Sequence, residues 1–151
     1  MAATPKTSAE RPRPRVSKPR ANKIALRDAI AAMNDGSAAA YLGLFRPDAR
    51  LHGFPTGIED VNSLSEFHVA TADLFPDASV TLDDTVAEND RVATRFTWRA
   101  THAPGVTLVA QGGAIVRFAD GQIAECWNLP AEVETVVSDD ATVQEPVTIG
   151  A

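Results

Sequence analysis

At Pro76 the chain changes period, and that change limits the folds open to it. Before it, apolar residues recur at helical spacing; after it, side chains alternate or are β-branched and aromatic. The stretch from Leu74 to His102, LFPDASVTLDDTVAENDRVATRFTWRATH, holds the switch itself. It runs from a helix end through a Phe-Pro-Asp stop, a strand and an Asn-Asp turn to a second strand closing on Thr-His. Helices followed by a run of antiparallel strands give an α+β domain, not alternating βαβ units.

The helical half begins near Asn22. Leu26, Ile30 and Met33 fall at i, i+4, i+7, and Asp35-Gly36 ends the segment, so a helix is predicted over 22–35. Ser37 caps a short helix in which Tyr41, Leu44 and Phe45 share a face. Pro47-Asp48 then breaks it, and a strand is predicted over 49–54, leading into the turn Pro55-Thr56-Gly57. Asp60 caps a third helix with Val61, Leu64, Phe67, Thr71 and Leu74 along one stripe. Strands follow at 78–87, 91–102, 106–118 and 122–129, the last two joined by the hairpin signal Asp120-Gly121.

At 151 residues, 44% of them hydrophobic, the chain has material for one domain with one core. Its charge is uneven. Residues 1–23 hold seven cations against the single carboxylate of Glu10, a sum of +6, so the formal total of −6 leaves −12 on the rest. The N-terminal residues 1–21 also carry four prolines and read as a disordered, basic tail. Residues 22–131 form the domain, and 132–151 read as an acidic, flexible C-terminal tail. An acidic domain excludes nucleic acid as the expected partner. No apolar run follows the N-terminal charges, and no stretch reaches membrane-spanning length, so a soluble cytoplasmic protein is expected. The single cysteine, Cys126, lies among alternating strand residues and is expected to be a buried, inert thiol.

Six pieces then carry a resemblance: Tyr41-Leu-Gly-Leu-Phe45, Leu51-His-Gly-Phe-Pro55, Leu74-Phe-Pro-Asp77, Asn89-Asp-Arg-Val-Ala93 with Arg95, Thr101-His102, and Arg117-Phe118 through Asp120-Gly121 to Glu125-Cys-Trp127. In that order and spacing, over about residues 24–130, the chain resembles the SnoaL-like polyketide (ester) cyclases of the NTF2-like superfamily. The resemblance implies a cone in which three N-terminal helices pack on a curved, mainly antiparallel sheet. It also implies ring closure by intramolecular aldol chemistry on a hydrophobic, polyketide-like molecule, without metal or cofactor, in a homodimer. A proton between a ketone and an ester is already acidic, so one acid/base group and a shaped cavity suffice.

The chain departs from the family in two places. The acidic residue usual four positions after the Trp of Glu-x-Trp is replaced by Ala131, and the segment after Thr101-His102 is short. Related chemistries on the fold fit no better. The isomerase Tyr position falls at Ala29 and its base position at His52 or Gly53. The epoxide-hydrolase carboxylate positions are Thr97 and Leu129.

The expected site follows from these comparisons. Arg95, placed toward the pocket by the relatives, would stabilise an enolate oxygen, or else pair with Glu125. His102 at the strand end, or His52 on the first strand, would move the proton, with Glu125 fixing one of them. Tyr41, Phe45, Phe54, Phe67, Phe75, Thr97 and Trp127 would line the pocket, although apolar residues at such spacings also suit a plain core. His68 is assigned to packing, and Asn128 points away from Trp127. No metal-ligand spacing, phosphate loop or Rossmann fingerprint occurs in the sequence. The second reading is a non-catalytic ligand-binding or assembly protein, for which the missing acid at 131 argues.

Overall fold

The computed structural model of the protein describes residues 17–138. Most of both expected tails, residues 1–16 and 139–151, lies outside the described residues. The first helix, α1 (Lys18–Asn34), begins four residues before the expected start, with Pro19 in its first turn, where a missing N–H costs nothing. Asp35 and Gly36 close it, Gly36 at φ +98°. A short α2 (Ala38–Leu42) follows.

Leu44 and Phe45 are not on that second helix. The first strand, β1 (Phe45–His52), starts at Phe45 and runs straight through Pro47. The expected break at Pro47 does not occur because β1 is an edge strand whose register with its neighbour shifts between Phe45 and Arg50. A proline without a donor is tolerated at such an irregular edge. Then comes α3 (Val61–Leu74), started by Asp60, whose side chain accepts from the Ser63 N–H at 2.8 Å while the Ser63 hydroxyl accepts from the Asp60 N–H. Those backbone and hydroxyl hydrogen bonds hold the Asp60 carboxyl below its usual range.

Four strands complete the chain: β2 (Ser79–Glu88), β3 (Arg91–Ala103), β4 (Val106–Ala119) and β5 (Gln122–Val137). The last extends eight residues beyond its expected end, so the stretch expected to fray from Glu132 is strand to Val137. The sheet is mixed, curved and unclosed, in the order β1-β5-β4-β3-β2. Its single parallel pair is β1 with β5; the rest are antiparallel. Asp120 and Gly121 both have positive φ, as the tight β4–β5 hairpin requires.

One face of the sheet meets the helices. There Leu26 and Ile30 of α1 and Leu64 of α3 join Phe45, Ala49, Val92, Val116, Phe118, Ile123 and Cys126 in the main core. The Cys126 thiol is pushed up to about 12 by burial, which makes it inert. A second, smaller cluster forms at the other end of the same face from Phe75, Ala100 and Leu108, with Trp98 and Val133 against it. The two clusters and the interval between them position everything described below. No helix among the described residues is long and apolar enough to cross a membrane.

Two backbone devices hold the edges. At Gly53, φ is +74° and a Cβ would lie 2.1 Å from the Asn128 carbonyl oxygen, so only glycine lets the end of β1 cross β5. At the opposite edge Asn34 stands in for a strand: its amide donates to the Val80 carbonyl at 2.8 Å, and its carbonyl accepts from the Val80 N–H at 2.9 Å. The free edge of β2 is thereby blocked at that point.

Candidate active site on the helix side of the sheet

Alternation along β3 separates its residues as expected. Val92, Thr94, Phe96, Trp98, Ala100 and His102 form one set, and Arg91, Ala93, Arg95, Thr97, Arg99 and Thr101 the other. Val92 and Ala100 are buried against the two apolar clusters, so the first set is the helix side. Arg95 therefore does not face the helices, as its placement by the relatives implied. Its guanidinium is directed at Asp84 on β2, with Nε and Nη2 each 2.8 Å from Oδ2 and Nη1 3.9 Å from Asp83. The alternative partner, Glu125, is not reached either, because β4 separates β3 from β5. The hydrogen bond and charge of Asp84 stabilise the cation and raise its pKa. Thr97 is buried on the same outer face, donating to Asp83 at 2.6 Å.

The other outer-face residues form a second network. His52 Nε2 lies 2.7 Å from Glu125 Oε2, and Arg117 Nη2 lies 3.3 Å from Glu125 Oε1. The His52 ring stacks on Trp127 with centroids 5.4 Å apart, and the Arg91 guanidinium stands 5.0 Å from the Trp127 centroid. The Glu125 carboxyl is held below its usual range, first by the His52 hydrogen bond and then by Arg117. His52, Glu125 and Trp127 thus belong together, as expected, but on the face turned away from the helices. Leu51 and Cys126, their sequence neighbours, occupy the core, and alternation sends these three outward.

The helix-side residues of the expected site divide. Tyr41 and Phe54 pack against the main core, Phe45 is part of it, and Phe75 anchors the second cluster. Phe67 does not line this face well, being 37% exposed. Along α3 only Leu64 is buried, with Val61, His68 and Thr71 half-buried on the same stripe and buried Phe75 just past the helix end. His102 is half-buried at the end of β3, beyond Ala100.

Between the clusters the sheet stays accessible. Its row there consists of Phe96, Gly112 and Ala131, on three adjacent strands. A Cβ on Gly112 would meet the Phe96 ring at 2.8 Å and Ala131 Cβ at 3.1 Å. Ala131 faces the helix side because β5 carries an extra residue between the pairs Gly113–Leu129 and Gln111–Glu132. It is exposed, with half-buried Asn128 next along the same face. The position that carries an acid in the related cyclases thus opens on this interval and holds a methyl group here.

One side chain escaped the sequence-based reading. Asn128 was set aside for pointing away from Trp127, yet that direction is toward the helices. His68 is half-buried and packs edge-on against Tyr41 and Phe67, in keeping with a packing residue. The spacing Val61, Leu64, His68 carried that signal. Two hollows open elsewhere on the surface. One, of about 490 Å³, is lined by Arg20, Lys23 and Arg27 of α1, and the other, of about 330 Å³, by Val109, Gln111, Glu132 and Glu134 on the outer face.

The SnoaL-like domain family matches residues 26–126, about two thirds of the chain. The chain belongs to that family. Among solved structures, wild-type IdmH from Streptomyces antibioticus, described as a candidate polyketide cyclase, superposes with a TM-score of 0.65 at 25% identity, covering 74% of this chain and 91% of IdmH. AclR from Streptomyces galilaeus, described as a candidate hydroxylase, gives 0.62 at 25% identity, covering 72% and 86%. A candidate polyketide cyclase from Bacillus cereus gives 0.65 at 19% identity, a likeness of fold, covering 78% and 80%. Comparison with curated proteins gave no match. The SnoaL-like domain and its NTF2-like fold are thus common ground with cyclases.

Proposed function

We propose that the interval between the two apolar clusters binds a hydrophobic, polyketide-like small molecule and closes a ring in it by cofactor-free acid/base chemistry. The observation that carries this reading is the accessible row Phe96, Gly112 and Ala131, flanked on both sides by packed apolar residues. The Phe96 ring lies over Gly112, and Phe96 and Trp98 offer a flat ligand aromatic surface. Similarity to IdmH at 25% identity supports a substrate of that class. A proton activated by two carbonyls needs one base and an enforced pose, and His102, half-buried at the register break near the end of β3, is the candidate base.

The test is titration with the methyl ester of an anthraquinone carboxylic acid, followed by fluorescence and native mass spectrometry. Wild-type protein retains the ligand, and Ala131→Trp, which fills the interval from an exposed position, weakens binding at least about tenfold. Equal affinity of the two proteins would place the ligand elsewhere and sink the reading.

A second reading is favoured by Ala131 itself. A family member without the usual carboxylate can hold such a molecule without transforming it, and the same titration followed by product analysis separates the two. A homodimer is proposed alongside, formed through the outer face, where Val86, Leu129 and Val136 are exposed. Light scattering at micromolar concentration checks it, with Leu129→Glu expected to give monomers.

A further inference from the structure

The motifs Leu74-Phe-Pro-Asp77 and Thr101-His102, distant in sequence, meet at the end of β3. After α3 the chain turns through residues 75–78, the Ala78 N–H donating to the Phe75 carbonyl at 3.1 Å. β2 then pairs with β3 from Ser79, opposite Arg99. The antiparallel register, continued back by two residues, would set Asp77 opposite Thr101. The main chain is still in the turn there, so the side chain takes over the pairing. Asp77 Oδ1 and Oδ2 accept from the Thr101 N–H at 3.0 and 3.2 Å, and Oδ2 also accepts from the Thr101 hydroxyl. Those hydrogen bonds, the hydroxyl first, hold the Asp77 carboxyl below its usual range.

The same turn grips β3 on both faces. Phe75 is buried with Ala100 in the second apolar cluster, on the helix side, while Asp77 holds Thr101 of the outer set. The next residue is His102, and there the ladder to β4 slips. Thr101 pairs with Thr107 and Ala103 with Val106, so His102 is the extra residue of a bulge. Residues 102 and 103 together oppose Val106, which is buried and alternates with Leu108 on the helix side. A bulge re-aims the side chain it carries, in a direction set by the residues that flank it. On the far side the hairpin is tied by the Ser138 N–H, which donates to the Gly105 carbonyl at 2.9 Å. On the near side stands the Asp77 carboxylate. Among the described residues, no other side chain hydrogen-bonds to Thr101, His102 or Ala103.

We propose that Asp77 is the positioning residue for His102, its carboxylate fixing Thr101 so that the bulge holds the imidazole in one direction. The inference rests on reading the interval as the substrate site and His102 as its base. A ring nitrogen of His102 takes the proton from the carbon between ketone and ester, and the electron pair moves onto the ketone oxygen. The enolate carbon then attacks a second carbonyl carbon of the same molecule. A carbon–carbon bond forms, the carbonyl pair moves to its oxygen, and the imidazolium returns the proton there. Nothing is oxidised and no group leaves. Asp77 acts on these steps only through the direction of the ring. A reacting group misplaced by about 1 Å can cost about 100-fold in rate, so a clasp one residue away from the base is felt in kcat.

The probe is an anthraquinone carrying a β-keto methyl ester arm beside an aldehyde, with ring closure followed by absorbance. Thermal melts first establish that each variant folds. His102→Gln is expected to lower kcat at least about 100-fold and Asp77→Ala at least about tenfold, with KM within about threefold in both. Asp77→Asn, which keeps a carbonyl for the Thr101 N–H, recovers part of that loss. The double variant decides the role: if Asp77 acts through His102, adding Asp77→Ala to His102→Gln lowers kcat no further. A second tenfold loss there marks a merely structural residue and overturns the proposal, as does wild-type kcat in Asp77→Ala. Should Asp77→Ala not fold, Thr101→Val, which removes the hydroxyl alone, takes its place in the same cycle with an expected loss of about threefold. Wild-type kcat in Thr101→Val or in His102→Gln overturns the proposal, and so does binding without turnover in wild type. Failure of the wild-type protein to bind the probe is the separate outcome that removes the substrate-site reading itself.

Discussion

The two faces of this sheet treat charge in opposite ways. On the outer face Arg95 is matched by Asp84, and Glu125 by His52 and Arg117. On the helix side the polar groups, Tyr41, His68, Thr71, Thr94 and Asn128, are neutral, and those with a partner bond to backbone carbonyls. Paired charges at a surface satisfy one another and have little left to offer a substrate. The contrast teaches that a cluster of suggestive residue types is weak evidence for a site when its charges are already paired.

The largest effect expected is at Gly53, where the faces are joined. Gly53→Ala puts a side chain at positive φ and into the Asn128 carbonyl, costing about 3 kcal/mol or more in chemical denaturation. A loss under about 1 kcal/mol would mean that β1 can shift on β5. Next comes the core contrast between faces. Leu64→Ala on the helix side should lose about 2–5 kcal/mol, whereas Leu129→Ala outside should change stability by less than about 0.5 kcal/mol in the monomer. Asn34→Ala removes both hydrogen bonds to Val80 and should cost about 1–3 kcal/mol, together with greater aggregation through the uncovered edge of β2.

A pH titration of stability sharpens the comparison further. His68 has a folded pKa below its ordinary 6.5, so the folded state favours the neutral ring. Its contribution is full above 6.5 and is lost as pH falls through the lower folded value. Asp60, Asp77 and Glu125 also have lowered values, through hydrogen bonds with Ser63, Thr101 and His52 respectively. Their contribution is present above the ordinary carboxylate range near 4 and is lost as pH falls below it. Urea midpoints against pH should therefore fall in two windows, and His68→Gln should remove the upper one alone. The smallest effect is expected at Arg95→Ala, whose ion pair with Asp84 is exposed and screened by solvent, with anthraquinone binding unchanged. A weakened affinity there would break the division between the faces.

Much of the fold was legible along the chain. Helices before Pro76 and strands after it, the Asp60 cap and the Asp120-Gly121 hairpin are local matters, decided by side-chain spacing, capping chemistry and permitted φ. The errors were also local in origin. Pro47 reads as a break until the strand is known to be an irregular edge, and 130–137 lacks pattern because a bulge changes its alternation. At the site, alternation sorts β3 and β5 into two faces and puts Asn128 opposite Trp127, on the helix side. A period of two says which residues share a face, but not which face the helices cover.

That last choice belongs to the tertiary structure. Leu26, Ile30 and Leu64 bury Val92, Val116 and Cys126, and burial of so much apolar surface outweighs any preference of Arg95 or Trp127. With the helices on that side, Arg95, His52, Glu125 and Trp127 turn outward together. His68, assigned to packing from its spacing, packs edge-on against the Tyr41 ring. The order of side chains alone established an α+β chain of the SnoaL-like kind with alanine in place of its usual acid. Only the tertiary packing decided that Ala131 shares the helix-side face with Gly112, because that placement depends on how distant strands pair and on the bulge in β5.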